Sequence, residues 1–162
     1  TTLPGDWCVA GRDGESAVVF GSGIAGRNAV AILDLEAGTV QHIAEFDCNL
    51  GDVRVSPDGQ TAAISAACVG PKADPATEVS ENVILLVDLD DGSSRSISDG
   101  VWTSPSFTPD GRSIIAADLS PSGSPDTSRL VRIDLSSNER TVLVEGEPLM
   151  LPMVLPGEWR PR

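Results

Sequence analysis

Val55-Ser56-Pro57-Asp58-Gly59-Gln60-Thr61-Ala62-Ala63-Ile64-Ser65 reads as the end of one strand, a tight turn and the start of a second strand. Pro sets φ at the second turn position, Asp closes the turn with its side chain, and Gly supplies a positive φ. The same order returns 52 residues later in Pro105-Ser106-Phe107-Thr108-Pro109-Asp110-Gly111-Arg112-Ser113-Ile114-Ile115. A looser copy, Ala10-Gly11-Arg12-Asp13-Gly14, lies 45 residues earlier, with Arg12 in the place of Pro. A second series interleaves with the first: Ala31-Ile32-Leu33-Asp34-Leu35, Leu85-Leu86-Val87-Asp88-Leu89 and Val131-Arg132-Ile133-Asp134-Leu135.

The strand-ending Asp residues of that second series are 54 and 46 positions apart. A period near fifty with a fixed internal order means one supersecondary unit used three times. The second unit resolves into four strands: A over Asp52–Ser56, B over Thr61–Ala66, C over Val83–Leu89 and D over Ser94–Ile97. The strands are short, rich in Val, Ile and Leu, and set apart by turn signals. No segment carries a capped apolar stripe of helical period. The expected fold is all-β, a β-propeller of four-stranded antiparallel blades. Blade boundaries fall at about 5–48, 49–100 and 101–147. Leu151-Pro152-Met153-Val154-Leu155-Pro156-Gly157-Glu158 aligns with Ser104–Gly111 with both prolines in register. It therefore reads as the first strand of a fourth blade, at about 148–158.

The two Pro-Asp-Gly stretches, with Leu86-Val87-Asp88-Leu89-Asp90-Asp91-Gly92 after the first, resemble the WD40-like repeat of TolB-type β-propellers. The resemblance covers nearly the whole chain and speaks to fold far more than to function. It implies a ring of six blades, an extracytoplasmic setting (periplasmic, cell-surface or secreted) and protein partners. No basic segment followed by an apolar one opens the sequence, so an export signal would lie outside it.

The 24 acidic residues outweigh 11 Lys and Arg, for a net charge of −13. Such a surface repels phosphate backbones and anionic bilayers, which argues against nucleic-acid partners and membrane surfaces. No apolar run approaches the roughly 18 residues of a membrane span. In a meander, the A–B and C–D turns share one end of the blade, and the B–C and D–A connections share the other. The former are all short. The B–C loops Gly21–Asn28, Val69–Asn82 and Leu119–Ser128 are long and variable. Length is tolerated cheaply on a surface and collects where binding occurs. Arg27, Lys72, Asp74, Glu78 and Asp126 lie on these loops and are the candidate binding residues.

Other motifs carry less. Gly21-Ser22-Gly23-Ile24-Ala25-Gly26 spells a dinucleotide-binding pattern, but a strand follows where a helix must open. The single His42 lies on an outer strand, where Val40, Ala44 and Phe46 alternate with Gln41, Ile43 and Glu45, and one His makes no His-based metal cluster. Asp88, Asp90 and Asp91 read as a turn, without the ligand spacing of a calcium loop. No metal or cofactor is expected. Cys48, in the connection from blade 1 to blade 2, and Cys68, at the start of the next B–C loop, fall at one end of one blade. They are the candidate disulfide, with three buried thiols in a cytosolic protein as the alternative.

Two functions fit. One is a non-catalytic binding module that engages a protein, peptide or small ligand through the B–C face. The other is the propeller part of a hydrolase, either prolyl-oligopeptidase-type or metal-dependent, with its catalytic residues outside this chain. In either case three blades do not close a ring, and further blades or a second copy are required. The apolar faces expected to lie bare are those of Val18, Phe20 and Ile32 in blade 1 and of Ile114, Ile115, Leu130 and Ile133 in blade 3.

Overall fold

The computed structural model describes residues 7–11, 15–22, 27–69, 80–97, 100–119 and 128–146. These form twelve strands and no helix. The first antiparallel sheet contains β1 (Trp7–Gly11), β2 (Ser16–Ser22), β3 (Asn28–Asp34) and β4 (Val40–Phe46) in chain order. The second contains β5 (Cys48–Val55), β6 (Thr61–Val69), β7 (Ser80–Asp88) and β8 (Ser94–Ile97). The third contains β9 (Trp102–Phe107), β10 (Ser113–Asp118), β11 (Ser128–Asp134) and β12 (Arg140–Gly146). The fourth-blade strand expected over about 148–158 lies outside the described residues.

The sheets stack face to face. Their first strands lie side by side, with β5 touching both β1 and β9, so these are the inner edges of adjacent blades. The middle sheet is buried on both faces. Ala62, Ile64, Val83, Leu85 and Val87 pack toward the first sheet with its Val18 and Val30. Ala63, Ile84 and Leu86 pack toward Ile114, Ala116, Val131 and Ile133 of the third. That is why Val83-Ile84-Leu85-Leu86-Val87 is apolar without interruption, since neither face of the strand meets water.

The expected bare faces are corrected at several positions. Val18 is fully buried, and Phe20 and Ile32 pack with it against the second sheet. Ala17, Val19, Ala29 and Ala31 on the opposite face are buried as well. Ile114 and Ile133 turn toward the second sheet, leaving Ile115 and Leu130 half-buried on the other side. A period of two tells which residues share a face, but not which face meets a neighbour. The large apolar exposure of the third sheet is on β12, where Val142, Leu143 and Val144 are each 45% exposed.

The recurring aspartates fasten the turns. Asp34, Asp88 and Asp134 each accept two backbone N–H bonds through Oδ1, from the residues two and three positions on. Gly38, Gly92 and Asn138 then close the turns at φ values of 62°, 75° and 58°. Asn is the side chain that best tolerates this left-handed region. In the A–B turns, hydrogen bonds from Ser56 and Thr108 hold the Asp58 and Asp110 carboxyls below their usual range. The Ser136 and Ser137 hydroxyls and amides depress Asp134 further.

Gly92 has a second task. A Cβ there would run into the backbone carbonyl of Ile43 on the neighbouring sheet, whereas one on Gly38 would meet nothing. Gly38→Ala should therefore cost only the left-handed strain, about 1 kcal/mol. Gly92→Ala should cost roughly 2 kcal/mol or more, because two blades must shift apart. Urea unfolding of the two variants side by side checks the order, and equal losses would contradict it.

Candidate functional site

All three B-to-C connections leave the sheets at one end, and the residues placed there are tied together. Arg27, just before β3, makes a two-pronged pair with Asp47 at 2.8 and 3.0 Å and approaches Glu45 at 3.6 Å. Asp47 lies between β4 and β5, so this pair spans the junction of the first two blades. Both partners are exposed, which limits the pair to about 1 kcal/mol. Beside it, Asn28 Nδ2 donates to the Cys48 carbonyl at 2.6 Å. Arg27 is thus engaged by acids of its own chain. Lys72, Asp74, Glu78 and Asp126 lie outside the described residues.

Cys48 and Cys68 are bonded. They do not sit in connections, however. β5 begins at Cys48 and β6 runs on to Val69, so the two cysteines are direct cross-strand partners, with Cα atoms 4.2 Å apart. The close spacing of such a pair lets neighbouring side chains meet. The sequence reading started the first strand at Asp52 because a bulge breaks the alternation there, shifting register between Leu50 and Val53. Gly51 fills the bulge because a Cβ would meet Ser65 Oγ at 2.7 Å. Cys8 is exposed and unbonded.

A bulge also interrupts β9 opposite Ile115–Ala117, at Ser104-Pro105, the repeat equivalents of Asp52-Val53. Ser104 takes φ = 50°, uncommon for a residue other than glycine. Its hydroxyl donates to Asp52 Oδ2 at 3.0 Å, joining the inner strands of the two blades. Bulges re-aim side chains and gather beside functional sites.

Between these bulges a cleft of about 330 Å³ opens at the B–C end of the interface between the second and third sheets. Leu50, Gly51, Ser65, Ala67 and Asn82 line it from the second blade, and Trp102 and Leu119 from the third. Trp102 is 3% exposed. Its indole edge packs so closely on Gly100 that a Cβ there would lie 2.8 Å from Nε1. The Arg140 guanidinium stands 5.1 Å from the ring centre. Cross-strand pairing continues from Trp102 to Asp118 and on to Arg129. Buried Asp118 accepts from Arg129 at 3.1 Å and from the Val101 amide at 3.3 Å. Sequence reasoning did not single out Trp102, Asp118, Arg129, Ser65 or Asn82. One signal was present: aligned on the repeat, the Asp118–Arg129 pair replaces Ala66 and Val83 of the second blade.

The same stacked sheets occur in solved structures. TolB from Acinetobacter baumannii matches with a TM-score of 0.65 at 24% identity, over 86% of this chain and 32% of that one. A putative TolB from Agrobacterium tumefaciens matches with a TM-score of 0.64 at 17% identity, over 91% of this chain and 51% of its own. The fold is a TolB-like β-propeller. Propeller blades of the same kind are matched in a puromycin-hydrolysing peptidase of Mycobacterium tuberculosis, with a TM-score of 0.62 at 16% identity, over 87% of this chain and 24% of the peptidase. The chain spans about a third of the Acinetobacter TolB and half of the Agrobacterium protein. No family model and no curated protein sequence matches it.

The disulfide clamps the TolB-like propeller at the start of its second blade and encloses a loop with a sequence separation of 20. Reduction, or the Cys48→Ser/Cys68→Ser pair of substitutions, should remove about 3 kcal/mol of stability. In a domain of this size that corresponds to a fall in Tm of roughly 6–12 °C, read by calorimetry with and without reductant. An unchanged Tm would show that the bond does not constrain the unfolded chain.

Proposed function

We propose that this chain is part of an exported, non-catalytic propeller that binds a protein or peptide at the end where its B–C connections emerge. The observation that carries this reading is the cleft between the second and third blades, which opens at that same end and is flanked by two strand bulges. The Cys48–Cys68 bond supports an oxidising compartment, where disulfides form and persist. Further blades, from the same polypeptide or a second copy, complete the ring. Lys72, Asp74 and Glu78 in the longest B–C connection, with Asp126 in the third, are the charged side chains that these connections offer a partner. Arg27 acts through its link to Asp47, which holds the rim of the first blade.

A second reading, favoured by the likeness to the Mycobacterium tuberculosis peptidase, makes these blades the access-restricting part of a hydrolase. Its catalytic groups would then lie outside this sequence. The two readings differ in what the polypeptide carrying this chain does to a bound peptide, which leaves intact in the first and cleaved in the second.

Replacing residues 70–79 by a short Gly-Ser connection should leave the circular dichroism spectrum and the disulfide unchanged. It should also reduce by about tenfold or more the capture of the partner retained by the unaltered protein. Equal capture by both forms in a pull-down from the exported fraction would show that the loop is not part of the binding surface.

A further inference from the structure

We propose that Leu35 and Val9 of the first blade are contacts at which the ring closes, and that they seat on a further blade of the same polypeptide, not on the third blade of a second copy. This rests on the incomplete ring in the function proposed above and names what completes it at the first blade.

Each blade carries one leucine just past the aspartate that ends its third strand: Leu35, Leu89 and Leu135. The three are fixed alike. Each backbone N–H donates to the carbonyl just before the second strand of its own blade, on Glu15, Gln60 and Arg112, at 2.9, 2.8 and 3.0 Å. Leu89 joins the core shared with the first blade, which Ile32 also joins, and is 1% exposed. Leu135 closes a groove of about 340 Å³ with Thr61, Leu86 and Arg95 of the second blade. Arg95 donates to its carbonyl at 2.6 Å. Both leucines thus reach back into the preceding blade. Leu35 has the same local setting and is 53% exposed.

The inner strand repeats the contrast. Residues opposite one another in an antiparallel pair share a face. Val53, opposite Ile64, packs toward the first blade and is 2% exposed. Val9, opposite Val19 on the face turned away from the second blade, is 69% exposed. Between these two margins Ala17, Val19, Ala29 and Ala31 are buried. The side chains that key the second blade to the first therefore stand bare at the margins of the first. Stacked repeats bury their faces against neighbours, so apolar side chains left bare at such positions mark a missing one.

A second copy is a poor neighbour. The grooves of its first two blades are filled by its own Leu89 and Leu135, which leaves the outer side of its third. There the floor changes. Ile32 and Leu86, two positions before Asp34 and Asp88, give way to Arg132 before Asp134. Arg132 Nε donates to Ser113 Oγ at 2.9 Å. Arg132, Asp134, Glu139 and Thr141 line a recess of about 190 Å³. Seating Leu35 there would strip water from a guanidinium and two carboxylates and give them no new partner. A blade with an apolar residue at that floor position offers the seat that the first two blades offer. The repeat itself runs on past the third blade, at Leu151–Glu158, so the same polypeptide is the source of that blade.

The test uses the polypeptide carrying this chain, with Cys8→Ser to remove the exposed thiol; Cys48 and Cys68 are bonded to each other. Leu35→Cys should react with a maleimide about tenfold or more slowly than Glu36→Cys, its exposed neighbour, because the blades must part before the reagent enters. The ratio should not change with protein concentration. Val9→Cys, set against the same Glu36→Cys control, gives the reading if Leu35→Cys fails to fold by circular dichroism. A p-benzoylphenylalanine placed at Leu35 should crosslink on irradiation within one molecule, to a peptide beyond residue 162. Equal maleimide rates overturn the proposal. So does a crosslinked dimer, or the absence of any crosslink beyond residue 162. Leu35 lies at the end of the blades opposite the B–C connections. If this closure falls while residues 70–79 remain necessary for partner capture, the binding face stands and only the closure is wrong.

Discussion

The middle sheet is buried on both faces, and the rest of the structure depends on that constraint. Ala62, Ile64, Val83, Leu85 and Val87 face one neighbour, and Ala63, Ile84 and Leu86 face the other. Small residues on β6 let adjacent sheets approach, while the branched residues of β7 fill the gap between them. Once the sheets stack this way, their first strands must meet along an inner edge. Every B–C connection then emerges at one end. The candidate binding face is thus a consequence of sheet packing, and it would persist whatever sequence the loops carried.

The repeat is broken at the interface between the second and third blades. The turns at Asp34, Asp88 and Asp134 recur because each must fold a strand back, and their bonds are the same in all three blades. The Asp118–Arg129 pair recurs nowhere else in the repeat. It replaces two apolar positions with a buried ion pair at the mouth of an interface, where packing alone would favour Ala and Val. A buried pair of this sort is weak support for stability, because desolvation offsets much of its attraction. Its value is positional, since it fixes the Val101 amide and borders the fixed indole of Trp102.

Much of this was legible in the sequence. Asp-Gly turns at a fifty-residue period define the blades because turn chemistry is local, needing only Asp to close the turn and Gly to take positive φ. The Cys48–Cys68 pairing followed from the order of strands in one meander. Less legible was anything set by contact between blades. Which face of β2 met a neighbour was invisible, so Val18, Phe20 and Ile32 were assigned to a bare surface although they are core. The bulge at Gly51 hid the start of β5, because one extra residue reverses the alternation that marks a strand. Trp102 stood unnoticed because its place is set by what surrounds it: Gly100 against its edge and Arg140 over its face.

Hydrogen–deuterium exchange resolved to single amides tests the stacking most directly. Amides of Ala62–Ala66 on β6 and Val83–Val87 on β7 should be the slowest in the protein, because both faces of these strands must open before water reaches them. Those of β12, with three half-exposed apolar residues, should exchange far sooner. If β6 and β7 exchange as fast as β12, the middle sheet is not enclosed, and the blade arrangement that brings the loop ends and the Trp102 cleft together is wrong.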